Sequence, residues 1–130
     1  MSDVQVSYGP APVESPSEAV IKDANRVVVV TDARGRKLGI KRMSSGLARF
    51  RLCRILGPDA GNASVMTEAM LYTAVVSVNG DPVPFPQSML QLEALIDRLD
   101  LDVVMLVHKV QQEEFGLGRA PEEMVTEVKN

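Results

Sequence analysis

VVVVTDARGRKLGIKR, residues 27–42, decides the fold: two short apolar runs flank a turn at Asp32-Ala33-Arg34-Gly35, and the chain that follows reads mainly as helix. Gly35 suits such a turn because it takes a positive φ at little steric expense. The expected element is one antiparallel hairpin, Val27 to Thr31 against Arg36 to Lys41. A lone hairpin is marginal in water and has two open edges, so it must lean on the helices or pair with another chain. Four valines in a row, Val27, Val28, Val29 and Val30, suggest burial on both faces: either a helix covers one side and a partner the other, or the run is an interface.

Working outward, Ser44 or Ser45 caps a helix from Leu47 to Leu56 that stops at Gly57-Pro58. Arg51 and Arg54 share one of its faces, while Arg49 projects among apolar positions and is expected to snorkel or meet a partner. Asn62 caps a second, largely apolar helix carrying Met66 and Met70, expected to run to about Val76. Val75 to Val78 before Asn79-Gly80 also resembles a strand entering a tight turn; the preferred reading is helix, turn, then an extended Pro82 to Pro86 segment. Ser88 and Gln91 form a capping box ahead of Leu92, Leu95, Ile96 and Leu99, a helical stripe. Asp100 or Asp102 caps the last long helix, and Gly116 ends it.

The predicted fold class is therefore mainly α (α+β): a two-stranded N-terminal hairpin followed by about four helices in a small bundle, over residues 23–116. Residues 1–22, rich in Pro and Ser, read as a disordered arm, and 117–130 as a flexible acidic tail. Within that tail Pro121-Glu122-Glu123 is a helix-start pattern, followed by a small apolar face of Met124, Val125 and Val128. A chain of 130 residues, 45% of them hydrophobic, suffices for one core. With three Phe, two Tyr and no Trp, that core must be aliphatic and methionine-rich.

No pattern specifies a reaction. His108, the single histidine, sits on a predicted helix with no carboxylate three or four residues away to orient it. Cys53 is the single cysteine, which excludes an internal disulfide and zinc-type thiolate clusters and fits a reducing cytoplasm. Asp97, Asp100 and Asp102 lack the spacing of a calcium loop, and capping accounts for two of them. The glycines at 35 and at 116–118 belong to turns and lack a phosphate-loop framework. No catalytic, cofactor or metal site is predicted, and the chain is not expected to be an enzyme. It carries no apolar run of the roughly 20 residues that span a bilayer and no signal-peptide pattern, so no membrane role is expected.

Charge is uneven along the chain. Lys22 to Arg54 holds ten Lys or Arg against Asp23 and Asp32, while Asp81 onward holds ten Asp or Glu against four basic residues. The two halves either face each other within the fold, decorate solvated faces, or join neighbouring copies head to tail. Nucleic acid is a third partner for a basic patch, though the net charge of −3 and scarce aromatics count against it.

The order of these motifs resembles the small tail assembly chaperones of long-tailed bacteriophages and prophages. The resemblance spans about residues 26–107: the Thr31-Asp32-x-x-Gly35-Arg36 hairpin, the Arg49-x-Arg51-Leu52 helix, the VVSVNG-x-P stretch over 75–82 and the LEALIDRLD helix over 92–100. It implies a protein of the host bacterial cytoplasm that binds the long helical tape measure protein, helps recruit tail tube protein around it and is absent from the mature virion. Members often also exist in a frameshift-extended form. Adaptable methionines such as Met66 and Met70 suit a groove for a helical client, and self-association would array copies along it. The expected partner-binding residues are Val27, Val28, Val29, Val30, Arg49, Arg51, Arg54, Met66 and Met70. In that scheme Val27 to Val30 and Arg36 to Lys41 pair between copies, and Arg49, Arg51 and Arg54 meet Asp97, Asp100 or Glu113 of a neighbour. The alternative is a small DNA-associated or structural connector protein of a phage or prophage using the basic half.

Overall fold

The computed structural model describes residues 25–43 and 45–117; the expected N-terminal arm, and the tail beyond Leu117, lie outside them. The hairpin forms in the anticipated place, β1 Val27–Thr31 and β2 Lys37–Lys41, in regular antiparallel register from Val27 opposite Lys41 to Thr31 opposite Lys37. The α+β class stands, but the sheet is larger than a hairpin. β3 Val75–Val78 and the short β4 Asp81–Pro82 extend it to four antiparallel strands in the order β1-β2-β3-β4.

That extension corrects the expectation of helix through Val76. The second helix ends at Thr73, whose hydroxyl donates back to the Ala69 carbonyl at 2.8 Å, a local bond that competes with continued helix. Val75 and Val76 are β-branched and better accommodated in a strand. Asn79 and Gly80 then both take positive φ, 52° and 85°, the pattern of a two-residue hairpin turn of the primed type. Asn79 also joins the turn to β2: its N–H donates to the Lys37 carbonyl and its side-chain oxygen accepts from the Lys37 N–H at 2.9 Å. Pro82 is accommodated because β4 is an edge strand.

The described residues after β2 hold the helices α1 Gly46–Leu56, α2 Ala63–Thr73, α3 Met89–Leu99 and α4 Leu101–Phe115, with a 3-10 turn over Gly57–Gly61. Their caps follow the sequence closely. Ser45 accepts from Ala48 N–H, Asn62 from Ser64 and Val65 N–H, and Ser88 from Gln91 N–H. The Gln91 side chain reaches back to the N–H of Gln87, one residue before the cap. Gly116, at φ 68°, closes α4.

The inner face of the sheet, with Leu38 and Ile40 fully buried, packs with Leu71 and Tyr72 of α2, Leu99 of α3 and Val103, Val107 and Val110 of α4. A second cluster joins Leu52 and Leu56 of α1 to Met66 and Ala69 of α2 and Leu92 of α3, and Ile96 packs against both. The valine run therefore alternates instead of being buried throughout. Val28 and Val30 pack on the core while Val27 and Val29 face outward, Val29 being 63% exposed, as in an antiparallel sheet covered on one side. Beside them, Gly39 leaves room for the Ser77 hydroxyl, which would lie 2.2 Å from a Cβ at that position.

Candidate interaction groove beside the first helix

Two polar networks hold the hairpin against the helices and thereby set the groove between β2, α1 and α2. At the tip, the Asp32 carboxylate accepts from the N–H groups of Arg34 and Arg36 and from the Arg36 Nε at 2.7 Å. Burial alone would raise the Asp32 carboxyl, but the Arg36 N–H and guanidinium and the Arg34 N–H hold it below the ordinary carboxylate value. The rest of the Arg36 fork caps α3, donating to the carbonyls of Arg98 at 2.8 Å and Leu99 at 3.1 Å. Arg34 pairs with Asp100, and Arg26 with Glu114 at 2.8 Å. At the other end of β2, the buried Gln111 of α4 accepts from Met43 N–H at 2.9 Å and donates to the Lys41 carbonyl at 2.7 Å.

Asp100 links α3 to α4 at φ 73° and ψ 171°, a backbone conformation that normally favours glycine. Three contacts keep it there: the ion pair with Arg34, its side chain accepting from Leu101 N–H, and its carbonyl accepting from the Tyr72 hydroxyl at 3.1 Å. Burial, reinforced by the charges of Glu68 and Asp100, raises the Tyr72 phenol above its ordinary value and keeps it a donor.

A groove of about 280 Å³ opens where β2 leads into α1, lined by Met43, Leu47, Arg51, Met70, Val76 and Phe85 among others. Arg51 and Phe85 also line a second cleft of about 540 Å³, together with Arg54, Ile55 and the segment Pro84 to Gln87. The Arg51 guanidinium lies 6.0 Å from the Phe85 ring centroid, at the outer limit of a cation–π contact, and forms the ridge between the two clefts. Lys41, Arg42, Arg51 and Arg54 border this surface, and among the described residues no aspartate or glutamate lines it. Leu47, Phe50, Arg51 and Arg54 fall at helical spacing on one stripe of α1, with Leu47 58% and Phe50 61% exposed.

The predicted partner residues thus separate. Arg51 and Met70 come together at the groove and Arg54 joins Arg51 at the second cleft, while Arg49 is exposed on α1 and lines neither. Val27 and Val29 are exposed on the outer sheet face. Val28, Val30 and Met66 are taken up in core packing, because the sheet pleat and the α2 stripe turn them inward. Arg36 to Lys41 cannot pair between copies, since β2 already has a strand on each side; β1 keeps an open edge among the described residues. Asp100, expected to meet a neighbour's arginine, pairs within the chain. Sequence reading missed Phe85, although an aromatic held between Pro84 and Pro86 signals a side chain presented by stiff backbone. It also missed Leu47, and it assigned Lys41 to strand pairing between copies instead of to the groove, since neither residue carries a local signal of one.

Of the residues weighed for chemistry, His108 is exposed on α4 and Cys53 is partly buried against the second cluster. Among the described residues no group of three His, Cys, Asp or Glu side chains could hold a metal ion, and no helix is long and apolar enough to cross a membrane. No family model, curated protein or solved structure matches the chain.

Proposed function

We propose that this chain is a tail assembly chaperone of a long-tailed bacteriophage or prophage. It holds a helical segment of the tape measure protein in the groove beside α1, assists assembly of the tail tube in the host cytoplasm and does not remain in the mature tail. The observation that carries the reading is the groove itself: an apolar floor containing Met70 and Phe85, an exposed Leu47 at its rim, and cations without acids along its edge. A long amphipathic helix is held by such a surface through its apolar stripe, and methionine adapts to variation along that stripe. The resemblance of the hairpin and helix motifs to this family supports the same reading. Array along one client is served by the open β1 edge with its outward Val27 and Val29.

The test is co-expression with a tape measure fragment, followed by pull-down and light scattering. The expected result is a soluble complex containing several copies that survives high salt. An insoluble fragment, with the chain instead shifting DNA at low salt and releasing it as salt rises, would overturn the reading and favour a DNA-associated connector acting through Arg49, Arg51 and Arg54.

A further inference from the structure

We infer that this chain pairs with a second copy of itself along β1, strand to strand and antiparallel, about a two-fold axis through Val29. The hairpin register shows which backbone groups are open. At the tip the Asp32 N–H donates to the Arg36 carbonyl at 2.9 Å, and the strand partners run from Thr31 opposite Lys37 to Val27 opposite Lys41. Bonded and non-bonded pairs alternate along an antiparallel ladder, so Val30 and Val28 bond to β2, and the N–H and C=O groups of Val27, Val29 and Thr31 point to the free side. Among the described residues no strand pairs with them. An edge of this kind is ordinarily blunted by charge, proline, a bulge or shortness. The opposite edge, β4, is blunted twice, being two residues long with Pro82 as one of them. β1 has none of these devices: it is five residues in regular register without a charge, and its outward Val27 and Val29 are 45% and 63% exposed.

A second copy fits this edge because the open positions are symmetric about Val29. Antiparallel pairing centred there sets Val27 against the second copy's Thr31 and Val29 against its counterpart, so every residue with open groups meets another with open groups. The side chains agree with the backbone. Val27, Val29 and Thr31 of both copies fall on one outer face as a continuous β-branched strip, a cross-strand pairing such side chains favour. Arg26 and Asp32 flank the strand, and the same axis brings them opposite each other, unlike charges at each end of the strip. Both keep partners within the chain, Glu114 and Arg36, so neither end opposes the pairing. Growth beyond two copies is closed on this sheet, because Pro82 lacks the N–H that a ladder on β4 needs. The pairing stands on these observations without any client; combined with the proposed function, it makes a pair of grooves the unit set along the helix.

The test is sedimentation equilibrium of the full chain over roughly 1–500 µM, which brackets the micromolar affinity expected of a short strand pairing held mainly by main-chain bonds. Monomer should give way to dimer, with amide exchange at Val27, Val29 and Thr31 slowing as the dimer forms. Val29→Lys and Val29→Glu each set like charges face to face on the axis and should weaken association at least about tenfold. An equimolar mixture of the two should recover it, since unlike charges then meet. Val29→Thr keeps the strand preference and should remain a dimer, which separates a lost interface from a lost strand. A chain that stays monomeric throughout would overturn the inference. So would a dimer indifferent to both charged variants, or a mixture that fails to reassociate, because the axis would then lie elsewhere. Masses climbing past the dimer would overturn the closed pair, and a Val29 amide already fully protected in the monomer would give the edge to a segment of the same chain. No client enters these measurements, so their failure leaves the chaperone reading standing, and failure of the client pull-down leaves the pairing standing.

Discussion

At the hairpin tip, Arg34 and Arg36 are drawn onto the α3–α4 junction, whereas Arg49, Arg51 and Arg54 on α1 stay exposed with no salt bridge among the described residues. Both groups come from the same basic half of the chain. The fold resolves the charge segregation along α4, where Arg34 of the hairpin tip meets Asp100 at one end and Arg26 meets Glu114 at the other, and leaves it open at the opposite pole on α1. Arginines at the tip therefore act on stability, and those on α1 are available for recognition. The TD-x-x-GR motif belongs to the first group: Asp32 folds the turn, Gly35 closes it at φ 79° and Arg36 fastens it to α3.

Substitutions at the two poles should separate these roles. The largest loss is expected at Asp32→Ala, about 3 kcal/mol in urea unfolding, because it leaves the partly buried Arg36 guanidinium without its carboxylate and two N–H groups without an acceptor. An effect below about 1 kcal/mol would mean that the tip holds the fold no more firmly than an exposed ion pair does. Gln111→Ala should follow at about 2 kcal/mol, since both the Met43 N–H and the Lys41 carbonyl lose their partner. Its thermal unfolding should be accompanied by early loss of protection at Lys41 and Met43 in hydrogen exchange.

Asp100 provides a sharper comparison. Asp100→Ala loses the cap and the ion pair while keeping the unfavourable backbone, so it should cost about 1–2 kcal/mol, and Asp100→Gly measurably less. Equal losses would show that the positive φ stores no strain. At the opposite pole, R51E/R54E should change stability by no more than about 0.5 kcal/mol while weakening binding of an acidic helical client several-fold at low salt. A large stability loss there would erase the distinction between the poles.

Acid should weaken the tip. Because the Asp32 carboxyl is lowered in the folded state, the unfolded chain binds the extra proton as pH falls. The stabilisation is complete above the unfolded value of about 3.9 and is lost as pH drops through the lower folded value. Asp32→Asn should flatten this acid limb of the stability profile, and an unchanged limb would assign the acid sensitivity to other carboxylates.

Caps, stripes and turns were legible because each is written within four residues of itself. Ser45, Asn62, Ser88 and Gly116 mark helix ends through bonds to immediate neighbours, and the Leu92 to Leu99 stripe marks its own buried face. VVSV over 75–78 was not decidable in the same way, because a short apolar run suits the end of a buried helix as well as a strand. Pairing with β2 decided it. The groove was half legible: Arg51 and Arg54 announce a shared face on α1, but Phe85 and Lys41 join them only through packing of distant segments.

The amino-acid sequence by itself determined the first hairpin, the helix caps and the uneven charge; the first two follow from backbone preference and short-range hydrogen bonding, and the third is composition itself. Tertiary structure alone decided which charges are neutralised, which valines face out and where a partner could bind. Those outcomes depend on contacts such as Arg36 with the Arg98 carbonyl and Gln111 with the Lys41 carbonyl, separated by 62 and 70 residues along the chain. No local preference encodes contacts at that range, because they exist only once the sheet has closed over the helices and desolvation has made each unpaired polar group costly.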